Sequence, residues 1–185
     1  MNGDIGKFIF VILFCVGHIV GCANSTTTPI KYNSVNKQKF VPITLNINSG
    51  KFRGGPESEL ADYIYESFRK SGLFARVDTP PKVNPVTVNI EYRLNQPTNA
   101  DMLVGITISA ASLLLIPVDF DESHTLEVEI LNEDLVIKSA SYTEKITTTL
   151  SFFHDPLETR KDGINKLLKQ LLEDIRDNRL VPFNS

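Results

Sequence analysis

The residues of this 185-residue chain best equipped for chemistry are two cysteines, three histidines and one close run of acids. Cys22 closes an apolar run that begins at Phe8, and its thiol is a nucleophile open to alkylation. Cys15 lies inside that run, so a chain cut after Gly21 keeps a single cysteine. That leaves no disulfide framework and no thiolate cluster. His18 falls in the same run, while His124 and His154 stand thirty residues apart with no companion at ligand spacing. Both are expected at the surface or at strand ends, not on a metal. Asp119, Asp121 and Glu122 supply only part of a calcium loop, which needs a turn glycine and a spaced set of oxygens. They read as a solvated loop. Gly54-Gly55-Pro56 ahead of a helix presents amides to an anion, but without the lysine and hydroxyl of a phosphate loop it reads as a cap. No serine sits in a nucleophile elbow with a base at hand. The expectation is therefore no catalytic residue, no cofactor and no metal: a non-enzymatic protein.

Charge narrows the partners. The formal net charge is −3, and removing the first 21 residues takes away Lys7 and Asp4 together. Nothing resembles the basic footprint of a nucleic-acid binder. Tryptophan is absent, which weakens a carbohydrate-stacking site.

Ile19-Val20-Gly21-Cys22, at the end of the Phe8–Val20 apolar stretch, resembles a bacterial lipobox. The stretch has the length of a secretory h-region and is short for a spanning helix, which needs ~20 apolar residues. The resemblance implies that residues 1–21 are a lipoprotein signal peptide. Cys22 would take a diacylglyceryl group on its thiol and become the lipid-bearing first residue. Ala23, where an Asp favours inner-membrane retention in Gram-negative lipoproteins, points to the outer membrane, facing the periplasm. From Ala23 to Lys39 the chain turns to Ser, Thr, Asn and Gln with Lys31, Lys37 and Lys39 and no acid, the composition of a tether. The expected division is a leader over 1–21, a lipidated tether over 22–40 and one domain over 41–185.

Within the domain, Val41, Ile43, Leu45 and Ile47 alternate with polar residues and predict a strand. Pro56, the early acids Glu57 and Glu59, and the Leu60, Ile64, Phe68 stripe predict a helix that Gly72 ends. Phe74–Val77 reads as a short strand, and Val86 to Leu94 as the clearest one. Leu126–Ile130 and Leu135–Thr148 predict a hairpin turning at Asn132-Glu133-Asp134, its second strand polar enough for an edge. Asp155-Pro156-Leu157-Glu158 opens a closing helix whose Ile164, Leu167, Leu168, Leu171, Leu172 and Ile175 keep helical spacing.

Met102 to Val118 fits this picture least. It is uncharged between Asp101 and Asp119 and ends in Leu113-Leu114-Leu115-Ile116-Pro117. A buried core strand is the favoured reading, and a membrane or partner contact the other.

The expected fold class is α+β: a mainly antiparallel sheet with two amphipathic helices on one face. With the lipobox, this layout resembles small, uncharacterised Gram-negative envelope lipoproteins with an apolar leucine-isoleucine-proline run before a strand hairpin. In order of elements from Val41 to Asp177 it is also similar to the lipoprotein plug of the lipopolysaccharide translocon. The resemblance implies a membrane-anchored binding or scaffolding component of an envelope assembly, with an envelope protein as partner. Two alternatives give 102–118 a larger role: an apolar groove that handles lipid or glycolipid, or the membrane segment of an oligomeric secretion pore resembling curli-type channels.

Overall fold

The computed structural model describes residues 30, 39–48, 57–96 and 100–184. The leader, Cys22 and Gly54-Gly55-Pro56 lie outside the described residues. The elements in chain order are β1 (Ile43–Asn48), α1 (Glu57–Ser71), β2 (Val77–Asp78), β3 (Val86–Asn95), α2 (Ala100–Ala111), β4 (Val118–Asn132), β5 (Leu135–Leu150) and α3 (Pro156–Asp177).

Five strands form one sheet in the order β2-β1-β3-β4-β5. The sheet is mixed: its two long pairings are antiparallel, as expected, and its two short ones parallel. β1 pairs in parallel with both β2 and β3, while β3–β4 and β4–β5 are antiparallel. The crossover through α1 explains the difference: a helix between strands returns the chain in its original direction, which a tight hairpin cannot do. Gly72, at φ 75°, ends α1 in the left-handed region, as its place after the apolar stripe predicts.

The period-two strands put one set of side chains on a covered face. Ile43, Leu45, Val86, Val88, Ile90, Tyr92, Leu126 and Ile130 are all 1% exposed or less. Leu60, Ile64 and Phe68 of α1 and the Ile164–Ile175 stripe of α3 close over them to form the core. Each fully buried leucine or isoleucine there contributes about 1.5–3 kcal/mol relative to exposure. Asp155 caps α3, accepting from the Leu157 amide at 2.8 Å, with Pro156 in the first turn. The other sheet face carries Asn46, Asn89, Glu127, Glu129, Ser139 and Ser141 around a shallow hollow of about 620 Å³.

The hairpin β4–β5 is longer than the sequence predicts. β4 begins at Val118, not Leu126, and its 15 residues span about 50 Å. Its two-residue turn places Glu133 and Asp134 at φ 50° and 67°, the left-handed geometry that suits the twist of a tight hairpin. The Glu133 amide donates to the Pro85 carbonyl at 2.9 Å, seating the turn beside the start of β3. Phe40, where the chain enters the domain, stacks on Phe183 and bridges to Phe74 at this same end of the sheet.

Candidate functional site

The upstream extension of β4 moves two of the candidate residues into the core. His124 and Glu122 share the parity of Leu126, Val128 and Ile130, so they point to the covered face, and both side chains are fully buried. His124 is thus neither at the surface nor at a strand end, and Glu122 is not part of a solvated loop. Asp119 and Asp121 have the opposite parity and are exposed, accepting from Thr149 and Thr147 across the hairpin.

Glu122 is the centre of a buried polar cluster. Arg160 of α3 donates to both carboxylate oxygens, Nη2 to Oε1 at 2.7 Å and Nε to Oε2 at 3.1 Å. Thr148 donates to Oε2 at 3.0 Å, and Gln96 to Oε1. His124 Nε2 faces Oε2 at 3.5 Å, and its Nδ1 lies 2.6 Å from the Tyr92 hydroxyl. Burial pushes the carboxyl toward neutrality. The His124 ring beside it and the hydrogen bonds from Arg160 and Gln96, with the Arg160 charge, outweigh it and hold Glu122 well below the usual carboxylate range. Burial likewise pushes the Tyr92 hydroxyl above its ordinary value.

The line Tyr92–His124–Glu122–Arg160 has the residue types of a proton relay, but its three strand side chains are closed off among the described residues. Tyr92, His124 and Glu122 are 0–1% exposed, and α3 lies over them. Gly163 makes that contact close: a Cβ there would stand 3.2 Å from Ile146 Cδ1 and 3.7 Å from His124 Cδ2. The cluster joins α3 to the sheet. His154 lies in the turn after β5, where its Nδ1 is 2.8 Å from the Ser151 hydroxyl. Among the described residues no three His, Cys, Asp or Glu side chains converge on a metal position.

The outward-facing feature is built by Met102–Val118, and it is not a core strand. Residues 100–111 form α2, which carries exposed Leu103, Val104 and Ile108. The turn that follows exposes Leu113, Leu115 and Ile116, the first of them 78% accessible. Leu113 and Leu114 have φ 55° and 65°, a region leucine rarely occupies. Such strain costs of order 1–3 kcal/mol per residue and persists where the surroundings enforce it. Here the enforcement is visible. Leu114 N donates to the Ser109 carbonyl at 2.7 Å, Ser109 Oγ to the Ile116 carbonyl at 2.8 Å, and Phe152 N to the Leu114 carbonyl at 2.8 Å. The last bond brings exposed Phe152 and Phe153, packed edge to face, alongside the leucines.

Strand alternation failed in this segment because its apolar residues have no buried face to match. α2 is apolar nearly all round, a pattern found in helices enclosed by protein or lipid, yet here it stands in the open. Gly105 lets it sit against β4: a Cβ would fall 2.8 Å from Val118 Cγ1. No described helix is long and apolar enough to cross a membrane. The hollow on the open sheet face lies elsewhere, lined mostly by asparagine, serine and glutamate with Ile90, Val128 and Ala140. The parity of Glu122 and His124 with Leu126, and Arg160 one helical repeat before Ile164, were the signals that foretell the buried cluster.

No family model matches the chain, and no curated protein matches it. Among solved structures, its fold is similar to that of several bacterial lipoproteins. A protein from Xanthomonas campestris is 11% identical, with a TM-score of 0.49 over 81% of this chain and 89% of that one. The minor lipoprotein from Acinetobacter baumannii is 12% identical, with a TM-score of 0.43 over 78% and 96% of the two chains. Uncharacterised lipoprotein B from Nitrosomonas europaea is 11% identical, with a TM-score of 0.41 over 74% and 83%.

Proposed function

We propose that this chain is a non-enzymatic lipoprotein of the bacterial envelope, anchored through an acylated Cys22, that binds an envelope protein along its β5 edge. The leader over 1–21, the tether over 22–40 and the domain over 41–185 make up that arrangement, with the domain hanging in the periplasm from the outer membrane. The observation that carries the binding role is the open edge. β5 is a 16-residue strand at the end of the sheet, and among the described residues its only strand neighbour is β4. Leu135, Val136 and Ile137 at its start are 47–74% exposed. A long edge with apolar side chains is a template for an added strand, and folded proteins seldom leave one open without a use for it.

The test has two arms. Clickable palmitate added to producing cells labels the wild-type protein and not Cys22→Ser; label on neither overturns the lipid anchor. A photo-crosslinking residue in place of Val136 captures an envelope protein in living cells, and one in place of exposed Val83 does not. Equal capture at both positions, or none at Val136, overturns the edge. Capture of a second copy of this chain alone replaces the envelope partner with a self-assembling ring.

A further inference from the structure

The apolar end of the domain lies at the opposite end of the β4–β5 hairpin from Leu135–Ile137, and we infer that it inserts into the lipid bilayer as a second membrane attachment. Three observations favour lipid over a protein as its occupant.

The amide and hydroxyl donors of this turn are satisfied within it. Leu113, Leu114 and Leu115 donate their amides to the carbonyls of Ala110, Ser109 and Ser112, and Ile116 donates to the Ser112 hydroxyl. The hydroxyls of Thr107, Ser109 and Ser112 donate to carbonyls of the same segment. A bilayer demands this self-sufficiency because it offers no partner to a backbone group. A protein interface of ordinary size carries roughly 10 hydrogen bonds across it, and this surface holds few groups free to make them.

Charge is the second observation. No charged residue interrupts Met102 to Val118, and the nearest strand residues on the open face, Asp119 and Asp121, are acidic. That pattern complements an uncharged or zwitterionic lipid surface and lacks the lysines and arginines that seek anionic head groups.

The third is reach. Seven residues lie between Cys22 and Ile30, which packs against the core. Those eight Cα steps extend up to ~29 Å, so an anchor at Cys22 keeps the folded domain within about that distance of a bilayer. The domain would then be pinned at two points, with the β5 edge held at a set angle to the membrane.

The chain contains no tryptophan, so a single introduced indole reports cleanly. The full-length protein, purified from membranes, is reconstituted into phosphatidylcholine vesicles as Phe152→Trp or as the control Val83→Trp. Vesicles containing phosphatidylcholine brominated along its acyl chains are compared with unbrominated ones. Insertion predicts a blue-shifted indole at position 152 that loses at least half its emission to bromine, and an indole at 83 that does not. Adding Leu115→Asp and Ile108→Asp, both at exposed positions, abolishes the quenching while the circular dichroism spectrum stays unchanged. Equal quenching at 152 and 83, or none at 152, overturns the inference. A shift at 152 that follows protein density in the vesicle and ignores bromine assigns the patch to a second copy and overturns it too. Because every sample is already membrane-bound, the result is independent of how the N-terminus is anchored and of what binds β5.

Discussion

Arg160, early in α3, grips both carboxylate oxygens of Glu122 on β4, at 2.7 and 3.1 Å, across 38 residues of sequence. The side chain of Glu122 is fully buried and that of Arg160 only 14% exposed. Replacing Arg160 with Ala leaves a buried carboxylate without its cation, a loss expected to cost about 3–5 kcal/mol. Substituting the pair together, as Glu122→Leu with Arg160→Met, removes the uncompensated charge and is expected to recover most of that loss. Urea denaturation of the single and double variants checks both.

The same contact sets an acid sensitivity. Glu122 has a folded pKa below its unfolded value, so its stabilisation is fully present above the ordinary glutamate range near ~4.3. It is lost as the pH falls from there toward the folded value. Stability measured by denaturant titration is expected to hold steady from pH 7 to about 5 and to decline below that. In Glu122→Gln the decline is shallower. Glu66 and Asp177 are also held low by Arg69 and Arg176, but those pairs lie at the surface and add little. An equal acid slope in wild type and Glu122→Gln contradicts the assignment.

Most of the fold follows from period alone. The Val86–Leu94 alternation, the α1 stripe ending at Gly72, and the α3 stripe behind Asp155-Pro156 all appear where the sequence places them. Two things were hidden, for different physical reasons. Pairing direction between β1 and β3 depends on the crossover through α1, which strand periodicity does not encode. The buried cluster was hidden because charged residues are almost never fully buried unless paired. Glu122 therefore reads as solvated until Arg160, distant in sequence, is brought to it. Met102–Val118 misled in the opposite sense. Apolarity usually signals burial, and here it marks an exposed end.

The hairpin turn offers a stabilising substitution. Glu133 and Asp134 occupy the left-handed region that asparagine and glycine adopt at lower cost. Relief of a left-handed cost of about 1–2 kcal/mol per residue, less the entropy that glycine adds to the unfolded chain, leaves Glu133→Asn with Asp134→Gly expected to stabilise the domain by about 0.5–1 kcal/mol. The melting temperature should rise by a few degrees with unchanged circular dichroism. The gain is modest because glycine also loses more freedom on folding.

Gly163 shows what the close seating of α3 requires. A glycine inside a helix costs about 1 kcal/mol relative to alanine, so Gly163→Ala gains helix propensity. Against that gain, the new Cβ meets Ile146 Cδ1 at 3.2 Å and Cγ2 at 3.3 Å. Cδ1, at the far end of Ile146, can swing aside, whereas Cγ2 is fixed on the β-branch and must shift with the side chain by a few tenths of an ångström, so the strain offsets the helix gain and alanine is expected within about 1 kcal/mol of wild type. Gly163→Val has no such escape. Its γ carbons reach further toward Ile146 and His124, and overpacking of this kind costs about 1–3 kcal/mol. The sequence of effects, near-neutral alanine and destabilising valine, is read from urea midpoints. The ring signals of His124 in the NMR spectrum should shift for valine and stay in place for alanine. A valine variant as stable as wild type, with His124 unmoved, means that α3 does not rest on the buried cluster at this glycine.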